Sequence, residues 1–394
     1  MKLTVITQYY KPEMGAPQNR LYEMCLGLKQ LGADISVITA MPNYPTGKIF
    51  KEYKGQFSCD ETVDNIQVKR YWLYASNSRK ALPRIWSMIS FSVTIFCSLR
   101  YLRKRRNDFI IVESPPLTLA VSAWLLSKLS GAKLIMNVSD LWPLSAKELG
   151  AISEDGLTYR GLARLERWLY SHSSACIGQS QEIVDYMAAH GANQTYLFRN
   201  GVNPERFKGV QAHQSEEKLL IVYTGLLGYA QGLLDLCKNI NFYSLNAEFH
   251  IYGAGGEQSA IEEFIANNPD RGIFYEGKVG RDKIPTVLAQ YDCTLIPLVK
   301  NIYGAVPSKI YESMAAGLPI LFSGEGEGAR IVEENHIGWV SSSKDYKTLA
   351  ENISLASNKS ARAAFRVNCQ ECAQNKYNRP NQIGKLYDFL SQLN

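Results

Sequence analysis

The sequence has few of the side chains that build metal and redox sites. Its 394 residues include 5 histidines, which are spread along the chain without the spacing of metal ligands. Of the 8 cysteines, only Cys369 and Cys372 approach a CxxC pair, and no second pair or nearby histidine accompanies them. An Asp-x-Asp pair, which would hold a divalent metal on a diphosphate, is absent from the sequence. We therefore expect no metal and no cofactor, and thiols that stay reduced.

The sequence also lacks a secretory leader and long hydrophobic runs. Its first ten residues contain one lysine and a short apolar stretch that polar residues follow directly, which does not fit a signal peptide. The apolar stretch at residues 85–99 is shorter than the roughly twenty residues that a helix needs to span a bilayer. Neither a GxGxxG after the first strand nor a Walker lysine is present, so a dinucleotide oxidoreductase and a P-loop ATPase are poorly supported. We expect a cytoplasmic protein without a transmembrane helix.

What is present is the composition and pattern of a two-domain globular protein. A chain of this length with 46% hydrophobic and 20% charged residues is globular and too long to fold around a single hydrophobic core. Short apolar runs alternate with helical patterns, which is typical of parallel βαβ units. The runs form two sets, first LTVITQYY, ISVITAM, FIIVES, KLIMNVSD and SACIGQS, then LLIVYTG, AEFHIYGAG, GIFYEGKV, CTLIPL and LPILFSG. We predict an α/β protein with two Rossmann-like domains that join near residues 198–207.

The most informative segment is VPSKIYESMAAGLPI, residues 306–320. Pro307 can open a helix, and the free amides that follow it favour an anion, to which Lys309 adds a full positive charge. Glu312 follows one turn later on the same side of the helix. Gly317 before Leu-Pro is typical of a helix stop. The alternative is an ordinary amphipathic helix with a solvated lysine and glutamate.

This segment resembles the donor-binding helix of the GT-B glycosyltransferases, specifically the retaining family 4, whose motif is two glutamates separated by seven residues before an AAG-P ending. Glu312 matches the second glutamate, whereas Gly304 stands at the first position, so one acidic sugar contact is missing. The PSK string is similar to a bacterial subgroup with N-acetyl-L-fucosamine transferases of O-antigen synthesis and colanic-acid-type transferases. The resemblance implies two domains facing across a cleft: residues 1–200 on the acceptor side and 201–376 on the nucleotide-sugar side. A last helix, 377–394, is then expected to cross back onto the first domain.

Two loops after strands of the first half are candidates for the acceptor side, because ligands of open α/β sheets bind beyond the carboxyl ends of strands. Gly15 and Ala16 allow a close approach of the backbone to a phosphate, and Arg20 lies on the helix that follows. A plain connector is the alternative for this loop. The family resemblance supports a role, since family 4 enzymes carry a glycine-containing acceptor-side loop here.

The second of these loops is NVSDLWP, residues 137–143. Asp140 can accept hydrogen bonds from sugar hydroxyls or take a developing proton, and Trp142 offers an apolar platform for a sugar ring. A plain N-cap or turn aspartate is the alternative. The DLWP string resembles the active-site loop of the fucosamine-transferase-like subgroup, which makes Asp140 a candidate catalytic or acceptor-orienting residue.

The loop TGLLGYAQGL, residues 224–233, is predicted to open the second domain. Gly225, Gly228 and Gly232 are spaced for a turn that brings backbone amides near a pyrophosphate. Many family 4 enzymes carry an arginine and a lysine in this loop, and Gln231 stands at the lysine position. The counter-charge for the diphosphate is then expected from Lys309.

Two further loops complete the expected donor site by resemblance. They are IYGAGGEQ, with Gly253 and Gly255, and EGKVGRDKIP, with Lys278 and Val279, and simple turn chemistry is the alternative for both. Family 4 enzymes line the nucleotide base and ribose with these loops and bind the ribose hydroxyls with the residue matching Glu312. Ser308 is expected to contact the donor beside Lys309.

Residues 79–106 contain the densest positive charge in a chain whose net charge is a modest +6. Arg79, Lys80 and Arg84 precede the apolar stretch, and RYLRKRR follows it. Flanking cations and a tryptophan at the boundary, Trp86, suit a helix that lies on an anionic membrane surface. Burial inside the protein is the alternative. No nucleic-acid recognition motif surrounds the basic block, so we expect no nucleic acid partner.

Taken with the resemblance, these features predict a retaining, metal-independent glycosyltransferase at the inner face of the cytoplasmic membrane. Its expected donor is UDP-linked N-acetyl-L-fucosamine, and its expected acceptor is a lipid-diphosphate-linked glycan of O-antigen, capsule or exopolysaccharide synthesis. Lys309, Glu312 and Asp140 are the predicted catalytic residues. The alternatives are a GT-B nucleotide-sugar 2-epimerase or phosphorylase, and a non-catalytic scaffold of a glycan assembly complex.

Overall fold

The computed structural model describes residues 1–13, 15–78, 80–209, 213 and 217–393. Arg79, which belongs to the predicted basic segment, lies outside the described residues, as does the side chain of Ala16. Contacts within the chain divide it into two compact units. One consists of Met1–Arg199 with Pro380–Asn394, and the other is Asn200–Arg379.

The first unit alternates strands and helices. In chain order its elements are β1 (Lys2–Thr7), α1 (Ala16–Gln30), β2 (Asp34–Ala40), β3 (Ser58–Val63), β4 (Ile66–Tyr71), α2 (Ala81–Thr94), α3 (Leu99–Arg105), β5 (Phe109–Ser114), α4 (Leu117–Ser130), β6 (Lys133–Val138), α5 (Leu144–Glu148), α6 (Leu157–His172), β7 (Ala175–Gly178), α7 (Gln181–Ala189) and β8 (Thr195–Leu197).

The second unit repeats this plan. Its elements are β9 (Leu219–Leu226), α8 (Leu233–Asn239), β10 (Ala247–Ala254), α9 (Gln258–Asn267), β11 (Ile273–Gly277), α10 (Ile284–Leu288), β12 (Cys293–Pro297), α11 (Lys309–Ala316), β13 (Ile320–Ser323), α12 (Glu327–Glu334), β14 (Gly338–Ser341), α13 (Tyr346–Ala356) and α14 (Lys359–Glu371). The last helix, α15 (Arg379–Leu393), lies almost wholly in the first unit.

The sheet of the first unit has the strand order β3-β4-β2-β1-β5-β6-β7-β8 and is parallel except for the β3-β4 hairpin. The chain runs outward from β1 through β2 and then returns to the other side of β1 with β5, so the strand order reverses between β1 and β5. Crevices at such a reversal bind ligands in open α/β sheets. The helix α15 covers one face of this sheet, since Ile383, Leu386 and Leu390 are buried there.

The sheet of the second unit is parallel throughout, with the order β11-β10-β9-β12-β13-β14. Its strand order reverses between β9 and β12. The ten apolar runs in the sequence all correspond to strands of the two sheets. The sequence did not indicate β3, β4, β8 and β14, because β3 alternates half-exposed polar residues and the others are short or partly exposed.

The apolar segment of the first unit is longer as a helix than its sequence indicated. The helical run Leu82–Arg105 spans 24 residues and contains an 18-residue window with a mean hydropathy of 1.4, enough by length and composition to cross a bilayer. The apolar stretch between the flanking charges, residues 85–99, is only part of this run. In the structure Phe91, Ile95 and Leu102 are wholly buried in the core of the first unit. One side of the run is therefore a packed side of the protein.

Candidate functional site

Two glycines bring the ends of β9 and β10 together at the carboxyl edge of the second sheet. Gly225 and Gly253 are partners in the register of the two strands. Their φ angles of +144° and +150° are ones that residues with a side chain rarely adopt. A Cβ atom on Gly253 would collide with the carbonyl oxygen of Gly225, and one on Gly255 would lie 2.6 Å from the carbonyl carbon of Leu227. The two predicted glycine loops therefore pack backbone against backbone.

The side chain of Lys309 extends over this glycine edge. Its Nζ lies 2.8 Å from the position that a Cβ atom of residue 225 would occupy, and 5.0 Å from the centroid of the Tyr223 ring. Among the described residues no hydrogen bond or ion pair engages Nζ. Burial lowers the pKa of Lys309 to about 8, and the nearby Glu312 carboxylate opposes this shift. The edge thus carries an unpaired and partly desolvated ammonium group.

The helix α11 begins at Lys309, two residues later than predicted. Ser308 is its N-cap, and the Ser308 side chain makes no capping hydrogen bond. Pro307 precedes the cap, so it does not open the helix as the sequence suggested. The amides of Ser308 and Lys309 have no acceptor among the residues that the structure describes. This helix end therefore presents free N–H groups beside the ammonium, as an anion site requires.

Glu312 lies in the first turn of α11 and is partly exposed. Its carboxylate has no hydrogen-bond or ion-pair partner within the described part of the chain. The helix ends at Gly317, whose φ of +67° is that of a left-handed C-cap, as the sequence predicted. The carboxylate is thus free to accept hydrogen bonds from a ligand near the same helix end.

The amino end of α8, the helix that follows the first glycine loop, is capped by a side chain of the protein itself. The amide of Leu233 donates to a carboxylate oxygen of Glu257 at 3.1 Å. Glu257 is 8% exposed and follows the second glycine loop, and its amide donates to the Leu227 carbonyl. This end of α8 is consequently less available to a pyrophosphate than the sequence implied. Glu257 was not predicted from the sequence. The one feature that could have indicated it is its position as an acidic residue directly after Gly255 and Gly256.

The remaining predicted donor residues lie around the same edge. The backbone N–H of Gln231 donates to the Gly228 carbonyl. The buried side-chain oxygen Oε1 of Gln231 has no hydrogen-bond partner among the described residues. Lys278 is exposed and Val279 packs against the core, both just after β11. The Tyr275 hydroxyl ties β11 to this edge by donating to the Gly253 carbonyl at 2.8 Å. No contact joins Lys278 to Lys309 within the described residues.

In the first unit, Arg20 lies in a buried polar network instead of facing solvent. It is 2% exposed. Its Nη2 donates to Glu113 at 3.1 Å and also to the Ser139 hydroxyl, and its Nη1 donates to Gln179 at 3.2 Å. The Asn137 amide and the Ser139 hydroxyl donate to the same Glu113 carboxylate. Both terminal nitrogens of the Arg20 guanidinium thus donate hydrogen bonds within the protein, and the acceptor-side role of Arg20 stays a prediction.

Asp140 follows this network at the end of β6. Asp140 is exposed to solvent, but the protein around its carboxyl partly desolvates it, and this raises its pKa. The positive charge of Arg20 lowers the same pKa. Trp142 is only partly exposed because it packs against the core of the unit. A raised carboxyl pKa suits a group that takes or shares a proton.

The loop before α1 is held by a buried carboxylate that the sequence did not single out. Gly15 is the N-cap of α1 in extended conformation, and a Cβ there would collide with the Gln18 side chain. Glu13 is 1% exposed and accepts hydrogen bonds from the amides of Asn43 and Tyr44, at 2.7 and 2.8 Å. Burial raises the pKa of Glu13 to about 7. Glu13 thereby ties the loop after β1 to the loop after β2.

Comparison with known proteins adds to this geometry. A family model for a glycosyl transferase 4-like domain matches residues 15–201, and a model for glycosyl transferases group 1 matches residues 218–358. Among curated proteins, the chain is 27% identical over 342 residues to the putative colanic acid biosynthesis glycosyl transferase WcaI of Escherichia coli K12, covering 80% of this chain and 82% of that protein. It is 26% identical over 292 residues to the probable glycosyltransferase WbjE of Pseudomonas aeruginosa, covering 71% and 73%.

Solved structures share the fold at low sequence identity. Sucrose-phosphate synthase from Thermosynechococcus elongatus superposes with a TM-score of 0.74 at 14% identity, and both chains are covered completely. Anabaena HepE, solved in complex with UDP and glucose, superposes with a TM-score of 0.70 at 16% identity and complete coverage. Because the two family models together match most of its length and its fold is that of these enzymes, the chain belongs to the GT-B glycosyltransferases of family 4.

Proposed function

We propose that this enzyme transfers a sugar from a nucleotide diphosphate to a lipid-diphosphate-linked glycan during bacterial polysaccharide synthesis, with retention of configuration. The observation that carries the proposal is the unpaired Lys309 ammonium beside the free amides at the start of α11. Negative charge builds on the diphosphate as the glycosidic bond breaks. Donors fixed in place at that position stabilise the transition state more than the ground state.

The residues present supply this charge without a metal ion. Lys309 and the amides of Ser308 and Lys309 bind the diphosphate, and Glu312 accepts hydrogen bonds from the ribose hydroxyls. Among the described residues, no three His, Cys, Asp or Glu side chains gather as metal ligands would. Gly225 lets the Lys309 side chain lie directly against the backbone at the end of β9, because a Cβ atom there would collide with it.

In the proposed step, the bond between the sugar C1 and the leaving phosphate oxygen breaks while the acceptor oxygen bonds to C1 from the same face. The acceptor proton passes to the leaving phosphate oxygen, and the nucleoside diphosphate departs. Asp140 orients the acceptor hydroxyl by accepting a hydrogen bond from it. Trp142 offers the exposed part of its ring to a sugar.

We propose UDP-linked N-acetyl-L-fucosamine as the donor. Anabaena HepE, which has the same fold, was solved with UDP, and the relative from E. coli is named for colanic acid biosynthesis. Gln231 is neutral and adds no charge for a phosphate, which leaves Lys309 as the proposed counter-charge.

A membrane-facing role for α2 is supported by the orientation of its side chains. Ser87 and Ser98 are buried, whereas the apolar Leu82, Trp86 and Val93 are 71%, 61% and 62% exposed. An exposed apolar side of this kind marks a binding surface. It is flanked by exposed cations, namely Lys80, Arg84, Arg100, Arg103, Lys104 and Arg106.

Apolar side chains bordered by cations match the interface of an anionic bilayer. We therefore propose that the enzyme works as a peripheral protein on the inner face of the cytoplasmic membrane. A lipid-linked acceptor would be presented on that surface.

A thermal-shift screen across UDP-, GDP- and TDP-sugars tests the donor. A bound donor stabilises the folded state by about 2.7 kcal/mol at a concentration of 100 Kd. The stabilising donor is then incubated with and without a polyprenyl-diphosphate-linked glycan. Transfer only in the presence of the glycan supports the proposal, turnover without it indicates an epimerase, and the absence of any shift contradicts donor binding.

A further inference from the structure

The residue that precedes Asp140 is held at three points. The Ser139 amide donates to the Ser114 carbonyl at 2.9 Å, its hydroxyl donates to Glu113, and its carbonyl accepts a hydrogen bond from the Gln179 side chain. These partners come from β5 and from the segment after β7, on either side of β6. The backbone that carries Asp140 is therefore anchored to both neighbouring strands.

Arg20 connects all of these anchors. Its guanidinium donates to Glu113, Ser139 and Gln179, so its planar fork spans the same three strands from α1. The ion pair with Glu113 is almost wholly buried, with side-chain exposures of 2% and 9%. Burying two charges costs desolvation free energy, so a buried ion pair at the edge where ligands bind points to a role in that site.

The charges around Asp140 indicate what this role is. Arg20 and Glu113 are the two charged groups that interact with the Asp140 carboxyl. The positive charge of Arg20 favours the ionised carboxylate, against the desolvation that disfavours it. Glu113 in turn fixes where the guanidinium lies.

We propose that Arg20 is a positioning residue for Asp140, holding its backbone through Ser139 and keeping its carboxyl ionised. Arg20 then touches neither donor nor acceptor. The importance of Asp140 for turnover rests on the function proposed above. The coupling between Arg20 and Asp140 does not depend on it, because it is a property of the free protein.

The test measures the pKa of the Asp140 carboxyl by NMR titration of protein labelled with ¹³C at aspartate carboxyls, with Asp140→Asn to assign the signal. Arg20→Gln removes the charge, so the Asp140 pKa is expected to rise. Arg20→Lys keeps the charge but loses the fork, so the pKa is expected to stay near that of the wild type. A purely structural role predicts the same response to both variants.

Further variants keep the result decisive. If Arg20→Gln does not fold because Glu113 is left buried and unpaired, the double variant Arg20→Gln/Glu113→Gln is compared with Glu113→Gln. Both variants lack the Glu113 charge and differ only at Arg20, so the Asp140 pKa is expected to be higher in the double variant. Glu166→Gln replaces another buried carboxylate of the same unit, bonded by the Tyr170 and Tyr186 hydroxyls, and should leave the Asp140 pKa unchanged. An unaltered Asp140 pKa in folded Arg20→Gln, or equal Asp140 pKa values in Glu113→Gln and the double variant, would overturn the proposal.

This outcome is distinct from a failure of the proposed function. Full turnover by Asp140→Asn would remove Asp140 from the mechanism while leaving the measured coupling intact. If instead Asp140→Asn is inactive while the Asp140 pKa does not respond to Arg20, only the positioning role of Arg20 is excluded.

Discussion

The Nζ atom of Lys309 lies 5.0 Å from the centroid of the Tyr223 ring, at the carboxyl end of β9. Tyr223 is wholly buried, and its hydroxyl donates to the Leu226 carbonyl at 2.5 Å, so the ring cannot move away. A cation over an aromatic face gains about 0.5 to 2 kcal/mol. The ring therefore holds the ammonium in place without neutralising it, which a carboxylate partner would do.

Lys309→Ala is expected to reduce turnover by about 10²- to 10³-fold, because the leaving diphosphate loses a fixed donor. The fold should persist, since no hydrogen bond within the described residues depends on this side chain. The measurement is the rate of UDP release from the stabilising donor, with circular dichroism as the check on folding. The exposed Lys238→Ala on α8 serves as the control and should remain fully active. Unchanged turnover in Lys309→Ala would exclude this lysine from the mechanism.

Gly225→Ala should weaken UDP binding and destabilise the second unit by about 1 to 3 kcal/mol. The new methyl group meets the end of the Lys309 side chain, and the φ of +144° is unfavourable for alanine. Calorimetry with UDP and urea unfolding measure the two effects. Gly161→Ala, on α6 with open space around its Cβ position, is the matched control and should be neutral or stabilising. Equal behaviour of the two variants would show that Lys309 does not rest on the glycine.

The affinity for UDP should fall as the pH rises through about 8. The pKa of Lys309 in the free protein is lowered to about 8 by burial, so its charged form is lost above that pH. Isothermal titration of UDP between pH 6.5 and 9.5 measures the dependence, with buffers of matched ionisation enthalpy. Lys309→Arg keeps its charge throughout this range and should show a flatter profile. A wild-type profile as flat as that of the arginine variant would contradict an anion-binding role for the ammonium.

Glu166→Gln should remove part of the pH dependence of stability in the first unit. Burial raises the pKa of Glu166 to about 7, so the wild type is most stable where this carboxyl is protonated and loses that contribution as the pH rises from about 4.5 to 7. The loss is on the order of 2 to 3 kcal/mol. Urea unfolding at pH 5 and 7.5 measures it, and a glutamine, which cannot ionise, should show a smaller difference. An identical difference in wild type and variant would mean that Glu166 stays ionised throughout.

Trp86→Ser combined with Val93→Ser should weaken binding to vesicles that contain anionic phosphatidylglycerol. Both side chains are mostly exposed, so the variant should fold as well as the wild type. Cosedimentation with phosphatidylglycerol vesicles and with pure phosphatidylcholine vesicles separates the apolar from the electrostatic contribution. Leu157→Ser, at the exposed start of α6, is the control and should bind like the wild type. Equal binding of both variants would place the membrane contact elsewhere.

Local features of the site could be predicted from the sequence because they depend on neighbouring residues. The strand runs, the start of α11 near Lys309 and the stop at Gly317 all follow from short patterns of polarity and backbone preference. The two-residue error at Pro307 also arises locally, since a proline suits both the first turn of a helix and the position before its N-cap.

Features that depend on partners distant in the chain could not be predicted. Glu257 caps α8 from the next glycine loop, and Arg20 pairs with Glu113 across 93 residues of sequence. The sequence left both a membrane-facing and a buried position open for residues 79–106, and in the structure Ser87 and Ser98 are buried whereas Trp86 is exposed. Periodicity indicates that a helix has two sides, but it does not say which side packs against the sheet.

Local spacing in the sequence already specifies two parallel α/β units and a lysine and a glutamate in the first turn of one helix. Tertiary packing leaves the Lys309 ammonium over Gly225 without a partner among the described residues, and it pairs Arg20 with Glu113. Whether a charge is free or neutralised depends on which strands are neighbours in the sheet, and that order is set by the packing of the whole unit.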